Sequence, residues 1–161
     1  MGTKVLDFNQ YQKIPKFIAV EGPIGVGKTT LTKLLAESFG YNTFLEKPSE
    51  NPFLADFYEN PSQAALGAQL FFLFQRVKQI QEIKQGDIFT PTRVSDFLLD
   101  KDKLFAKATL SDQELKLYEQ IYNYLSIDLP TPDLVVYLQA ETKTLLQRVM
   151  HRGIEMEKSI S

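Results

Sequence analysis

The 161-residue chain contains no cysteine, which excludes disulfides, thiolate zinc sites and a cysteine nucleophile. It has a single histidine, His151, which reads as a solvated neighbour of polar residues rather than a proton shuttle. No apolar run approaches the roughly 18 residues that a membrane-spanning helix needs. The N-terminal stretch MGTKVLDFNQYQKIPK lacks the apolar segment of a secretory signal. Eighteen Lys and Arg against 20 Asp and Glu leave a net charge of −2, without the basic excess of a general nucleic-acid binder. These absences point to a cytoplasmic protein with neither nucleic acid nor membrane as partner. The length suits one α/β domain and is too short for two.

What is present is a chain that alternates short apolar runs with helical periodicity. Met1 to Pro15 reads as a polar leader, and residues 16–161 as one domain. Strands are expected at Phe17–Val20, Asn42–Leu45, Thr92–Val94 and, as a buried strand, Leu134–Leu138. Helices are expected at Thr29–Phe39 with Gly40 as its C-cap, Phe53–Tyr58, Ser62–Lys84 ending at Gly86, Asp100–Ala106 and Thr142–Arg152. One more should open at Ser111, whose Glu114 three residues on forms a capping box. Strands separated by helices of this length imply a doubly wound parallel sheet with helices on both faces.

Between the first strand and the first helix lies GPIGVGKT, Gly22 to Thr29, which fits G-x-x-x-x-G-K-[ST] in the context that motif requires. Gly22, Gly25, Val26 and Gly27 would curl backbone N–H groups around phosphates, with the helix N-terminus at Thr29 and Thr30 aimed at the same anion. Lys28 would reach the terminal phosphate oxygens and the Thr29 hydroxyl would ligate Mg²⁺. A glycine-rich turn without a ligand is the competing interpretation, and the strand-loop-helix order argues against it. The loop alone leaves the phosphoryl acceptor open. Glu46, just past the second strand, could take a proton from a hydroxyl acceptor or could be a solvated surface carboxylate.

The segments FIAVEGPIGVGKTTL, LEKPSENPFLADFY, QLFFLFQRVKQ, DKDKLFA and PDLVVYLQA…LLQRVMHRG, in this order and spacing, resemble the deoxynucleoside kinases, the deoxyadenosine, deoxyguanosine and deoxycytidine kinases and their relatives. The resemblance runs from about Lys16 to Ser161. It implies a P-loop sheet of strand order 2-3-1-4-5 and transfer of the γ-phosphoryl group of Mg·ATP to a deoxynucleoside 5′-hydroxyl in nucleotide salvage. It also implies a homodimer joined through helices. By resemblance, Glu46 is the base on the 5′-hydroxyl, Tyr58 and Glu157 reach the sugar 3′-hydroxyl, and Gln69 and Arg76 lie in the base pocket. Phe105 would lie along the base, and Arg148 and Arg152 would be lid arginines that clamp the moving phosphoryl group.

The chain departs from the family pattern in three places. The usual Glu-Arg-Ser after the third strand falls on Ser95-Asp96-Phe97, so the arginine is absent; Asp96 could serve Mg²⁺, and Arg93 is the nearest replacement cation. The base-pocket aspartate falls on Lys101, flanked by Asp100 and Asp102, either of which could take the place and favour a purine or cytosine. One lid arginine falls on Ile154, and the family's further helix, fifth strand and adenine-contacting loop have no counterpart before Ser161. A truncated form with an uncovered Leu134–Leu138 edge and poor ATP binding is the expectation. Alternatives are a thymidylate-type monophosphate kinase, which would need basic residues for a second phosphate, and a non-catalytic nucleotide-binding module.

Overall fold

The computed structural model describes residues 14–85, 91–126 and 128–152. Strand β1 (Phe17–Glu21) feeds the phosphate loop, and α1 (Lys28–Phe39) follows it. Gly40 ends α1 at φ 68°, a left-handed position that glycine takes without Cβ strain, with its N–H on the Ala36 carbonyl. Then come β2 (Asn42–Phe44), a single 3₁₀ turn (Pro48–Glu50), α2 (Leu54–Glu59) and α3 (Pro61–Lys84). Pro61 occupies the first turn of α3, where a missing N–H costs nothing. The chain continues through β3 (Arg93–Ser95), α4 (Lys101–Thr109), α5 (Asp112–Leu125), β4 (Leu134–Tyr137) and α6 (Thr142–Arg152).

The expected elements are all present, with ends displaced by no more than three residues and α6 bounded as read. Gly86 lies outside the described residues, and Gln85 caps α3. The capping box forms as read: the Glu114 carboxylate accepts the Ser111 backbone N–H at 2.9 Å and its hydroxyl at 2.6 Å. Of the leader, Ile14 and Pro15 are described, the latter accepting the Thr92 hydroxyl at 2.7 Å.

All strand pairs are parallel, in the order β2-β3-β1-β4. β1 is buried at all five positions, as a central parallel strand covered on both faces must be. Ile18 and Val20 point to one face, where they join Val94 under Leu31 and Leu35 of α1. A second cluster, Leu73, Val77, Ala106, Tyr118 and Tyr122, binds α3, α4 and α5 together. β4 corrects one expectation, because it is half-buried rather than buried. Leu134 and Val136 pack into the α1-side cluster, whereas Val135 and Tyr137 are exposed. β4 is an outer strand, and its period-2 alternation leaves one face without a covering element among the described residues.

Candidate active site

The phosphate loop leaves β1 at Gly22 and returns as α1. Gly25 has φ +77°, and a Cβ there would stand 3.0 Å from both the Leu145 carbonyl oxygen and Val149 Cγ2. The loop is thus held against α6, and only glycine allows that approach. Lys28 Nζ donates to the Gly22 carbonyl at 2.9 Å and the Pro23 carbonyl at 3.2 Å, curled over the loop. Arg148 of α6 donates to the Val26 carbonyl at 3.1 Å, so one of the two expected lid arginines does lie on the phosphate loop. Arg152 closes α6 four residues later, one turn along the same helix. Glu157 and Ile154 lie outside the described residues.

Asp96, just past β3 and nearly fully buried, ties this loop to the acceptor side. Its Oδ2 accepts the Thr29 hydroxyl at 2.5 Å, and its Oδ1 accepts the Glu46 backbone N–H at 2.8 Å. Burial raises its carboxyl pKa, against the lowering pull of the Thr29 hydroxyl and the Lys28 charge. A hydroxyl and a carboxylate oxygen meeting at the head of α1 are hard donors of the kind Mg²⁺ takes, so the side chains expected to hold the metal fit it. Among the described residues no group of three or more acidic or imidazole side chains gathers into an all-protein metal cage. Mg²⁺ seldom needs one, since phosphate and water complete its shell.

On the acceptor side, Arg76 of α3 forks between Glu46 and Asp102. Asp102 is 1% exposed, Arg76 13% and Glu46 22%, so the triad is withdrawn from water. Burial pulls the guanidinium pKa down to about 10, against the raising pull of the surrounding charges, and it remains a cation at neutral pH. Its carbon Cζ also stands 5.3 Å from the Phe72 ring centre and 5.9 Å from that of Phe97. Of the two candidate aspartates, Asp102 joins Arg76, whereas Asp100 lies beside the Tyr122 hydroxyl, which burial chiefly pushes up to about 12.

Gln69, two turns before Arg76 on the same face of α3, is buried and donates to the Thr109 hydroxyl of α4 at 3.4 Å. Phe105 stands half exposed on α4, and Tyr58 half-buried on α2 with its ring edge-on to Phe57 at 5.7 Å. Phe72 lies over Arg76, and Phe74 is exposed.

Arg93 is not the replacement for the absent arginine. It opens β3 opposite Phe17, at the far end of β1 from the loop. Five residues of strand separate that level from Gly22, about 16 Å at the usual rise. Besides Lys28 and Arg148, Lys101 also reaches the loop, its Nζ 2.5 Å from Glu21 Oε1 and 3.1 Å from the Gly22 carbonyl oxygen. Sequence reasoning missed Glu21 as a site residue. The available signal was an acidic residue closing an otherwise apolar strand immediately before the phosphate loop.

A triphosphate loop, a carboxylate beside it and a buried cation-carboxylate pair next to that carboxylate define a P-loop phosphotransferase with a small-molecule acceptor. The family model described as deoxynucleoside kinase matches residues 18–161. The chain is 40% identical over 149 residues to the deoxyguanosine kinase of Bacillus subtilis (strain 168), covering 89% of this chain and 70% of that protein. It is 34% identical over 158 residues to the deoxyadenosine/deoxycytidine kinase of the same organism, covering 92% and 71%. Among solved structures, the deoxyadenosine kinase from M. mycoides with bound dATP superposes with a TM-score of 0.77 at 27% identity, over 91% of this chain and 76% of that one. The chain belongs to the deoxynucleoside kinase family, and is a phosphotransferase with an alcohol acceptor that draws its phosphoryl group from a nucleoside triphosphate. No described helix is long and apolar enough to cross a membrane.

Proposed function

We propose that the protein transfers the γ-phosphoryl group of Mg·ATP to the 5′-hydroxyl of a purine deoxynucleoside, deoxyguanosine or deoxyadenosine. The observation that carries this reading is Arg76, which places a paired cation and carboxylate, Arg76 and Asp102, directly beside Glu46. A purine base presents both acceptors and donors along its edge, which an arginine and an aspartate can read together. Gln69 adds an amide that both donates and accepts. The similarity to proteins named deoxyguanosine and deoxyadenosine/deoxycytidine kinases supports the same substrate class.

Glu46 accepts the hydroxyl proton as the 5′-oxygen attacks phosphorus, and the Arg76 guanidinium holds that carboxylate in place before substrate arrives. The loop N–H groups and Lys28 hold the triphosphate, while Arg148 and Arg152 offset charge on the phosphoryl oxygens in the transition state. Thr29 and Asp96 would hold Mg²⁺, which supplies further charge neutralisation on the phosphates when bound. Tyr58 and Glu157 orient the sugar, and Phe105 lies along the base. The enzyme works in the cytoplasm as a homodimer joined through its helices.

A phosphoryl-transfer assay with radiolabelled ATP and each of the four deoxynucleosides tests this reading. Deoxyguanosine or deoxyadenosine should be the fastest acceptor, and Glu46→Gln should lower kcat by about 10²–10⁴-fold, the usual range for losing a general base. Transfer to a nucleoside monophosphate alone would favour the thymidylate-type alternative. Transfer to none would leave a nucleotide-binding module.

A further inference from the structure

Two lysines from opposite ends of the site converge on one carbonyl oxygen. Lys28 reaches the Gly22 oxygen at 2.9 Å from α1, and Lys101 reaches it at 3.1 Å from the first turn of α4. Their ammonium groups therefore stand within about 6 Å of each other. The carboxylate of Glu21, itself 5% exposed, holds this arrangement together. Its Oε1 accepts the Lys101 ammonium at 2.5 Å and the Gly22 N–H at 2.6 Å. A neutral carbonyl shared by two cations is a weak partner for either, and an anionic phosphate oxygen would make a stronger one.

Lys101 is also placed toward the acceptor. Its Nζ lies 5.5 Å from the centre of the Phe105 ring, and the next residue, Asp102, pairs with Arg76. The first turn of α4 thus sends one side chain to the donor loop and the next to the acceptor cluster. At the end of β3 the chain reads Ser95-Asp96-Phe97, with no basic residue in that triplet.

We propose that Lys101 contacts the transferring phosphoryl group, a role that rests on the kinase reading above. When ATP occupies the loop, the Lys101 ammonium leaves the Gly22 carbonyl for a γ-phosphate oxygen and keeps Glu21 as its counter-ion. During transfer the bond from phosphorus to the β,γ-bridging oxygen breaks, with its electron pair leaving on ADP, and the bond to the 5′-oxygen forms. The hydroxyl proton goes to Glu46, and Lys101 neither gains nor loses a proton. It acts by charge on the equatorial oxygens, where charge accumulates.

The competing role is passive, with Lys101 serving only to neutralise the buried Glu21. Four variants separate the two: Lys101→Met, Lys101→Arg, Glu21→Gln and the double variant Lys101→Met/Glu21→Gln. Each is assayed for kcat and KM with the preferred deoxynucleoside and for Mg·ATP binding by calorimetry. Lys101→Met should lower kcat by about 10²–10³-fold, the usual effect of removing one such donor. It should leave the deoxynucleoside KM within about threefold, and Lys101→Arg should recover at least about tenfold of the loss. The double variant, which leaves no buried charge unpaired and so keeps the loop intact, should stay as slow as Lys101→Met. It should also bind Mg·ATP several-fold more weakly than Glu21→Gln alone.

Recovery of wild-type kcat in the double variant would overturn the proposal, because neutralising Glu21 would then be the whole role. If the wild type transfers to no deoxynucleoside, the kinase reading fails and the calorimetry decides about Lys101 alone. Equal Mg·ATP affinity of the double variant and Glu21→Gln would then refute the contact.

Discussion

Arg76→Met should be among the most costly single changes in this protein, and the structure sets the size of the effect. Methionine keeps most of the apolar stem and fills similar volume, so the perturbation is chiefly electrostatic. It leaves two carboxylates without their shared cation. Glu46, at 22% exposed, can turn toward water, but Asp102 at 1% cannot. Removing one member of a buried pair typically costs about 3–5 kcal/mol, because the remaining charge stays desolvated. The lost guanidinium contacts with Phe72 and Phe97, at 5.3 and 5.9 Å, add about 0.5–1 kcal/mol each. A total of about 4–7 kcal/mol is expected, a large share of the ~5–15 kcal/mol that holds a domain folded.

Asp102→Asn should cost less, about 1–2 kcal/mol, since Arg76 keeps Glu46 as counter-ion and Asn keeps the shape. The double variant Arg76→Met/Asp102→Asn removes the stranded charge that makes the first change expensive. Its cost should fall short of the sum of the single effects by at least about 1 kcal/mol. Urea unfolding of the four proteins, followed by circular dichroism at neutral pH, gives all of these differences from the midpoints. Strictly additive costs, or an Arg76→Met effect below about 1 kcal/mol, would mean that the pair behaves like an exposed salt bridge and that its withdrawal from water has no energetic consequence.

Three other outcomes follow from single observations. Gly25→Ala should destabilise by about 1–2 kcal/mol, from the left-handed φ alone, and should weaken ATP binding, because its Cβ must push Leu145 and Val149 of α6 off the loop. Calorimetry with ATP and a thermal melt check both, and unchanged affinity would refute the close packing of α6 on the loop. Leu73→Ala, at a fully buried position where α3 meets α4 and α5, should cost about 3–5 kcal/mol in urea unfolding, with an unchanged midpoint as the contrary result. The Ser111 hydroxyl, then the Ser111 backbone N–H, hold the Glu114 carboxyl below its ordinary 4.5. Its stabilisation is therefore full above that value and lost as pH falls through the lowered folded value. Glu114→Gln should be less stable than wild type at pH 7, and the difference should shrink as pH falls below 4.5. A difference that survives unchanged at pH 3 would refute the capping role.

Much of the fold is legible in the residues because local physics decides it. Gly40 beyond a periodic apolar run, Ser111 with Glu114, Pro61 at a helix start and the glycines of the phosphate loop each allow few backbone conformations. The order of β1, the loop and α1 follows from them. β4 was harder. Leu134 to Leu138 reads as a buried strand because an apolar run does not reveal how many faces are covered, and Val135 and Tyr137 are exposed because no described element covers their face of β4. The site divides in the same way. Lys28, Thr29 and Glu46 are placed by neighbours in sequence, on the loop and at a strand end.

Long-range pairing was outside the reach of sequence. Asp100 and Asp102 are two residues apart, and helical phase alone sends the second to Arg76 and leaves the first at Tyr122. Arg93 and Lys101 are both basic and both near Asp96 in sequence. Parallel register puts Arg93 at the far end of the sheet, while the first turn of α4 brings Lys101 to Glu21. The sequence by itself determined the phosphate loop, the alternation of strands and helices, and the kind of chemistry they serve, because these depend on conformations that adjacent residues impose. Only the tertiary structure decided which carboxylate meets which cation. That choice turns on strand register and helix phase, and on the cost of leaving a buried charge unpaired.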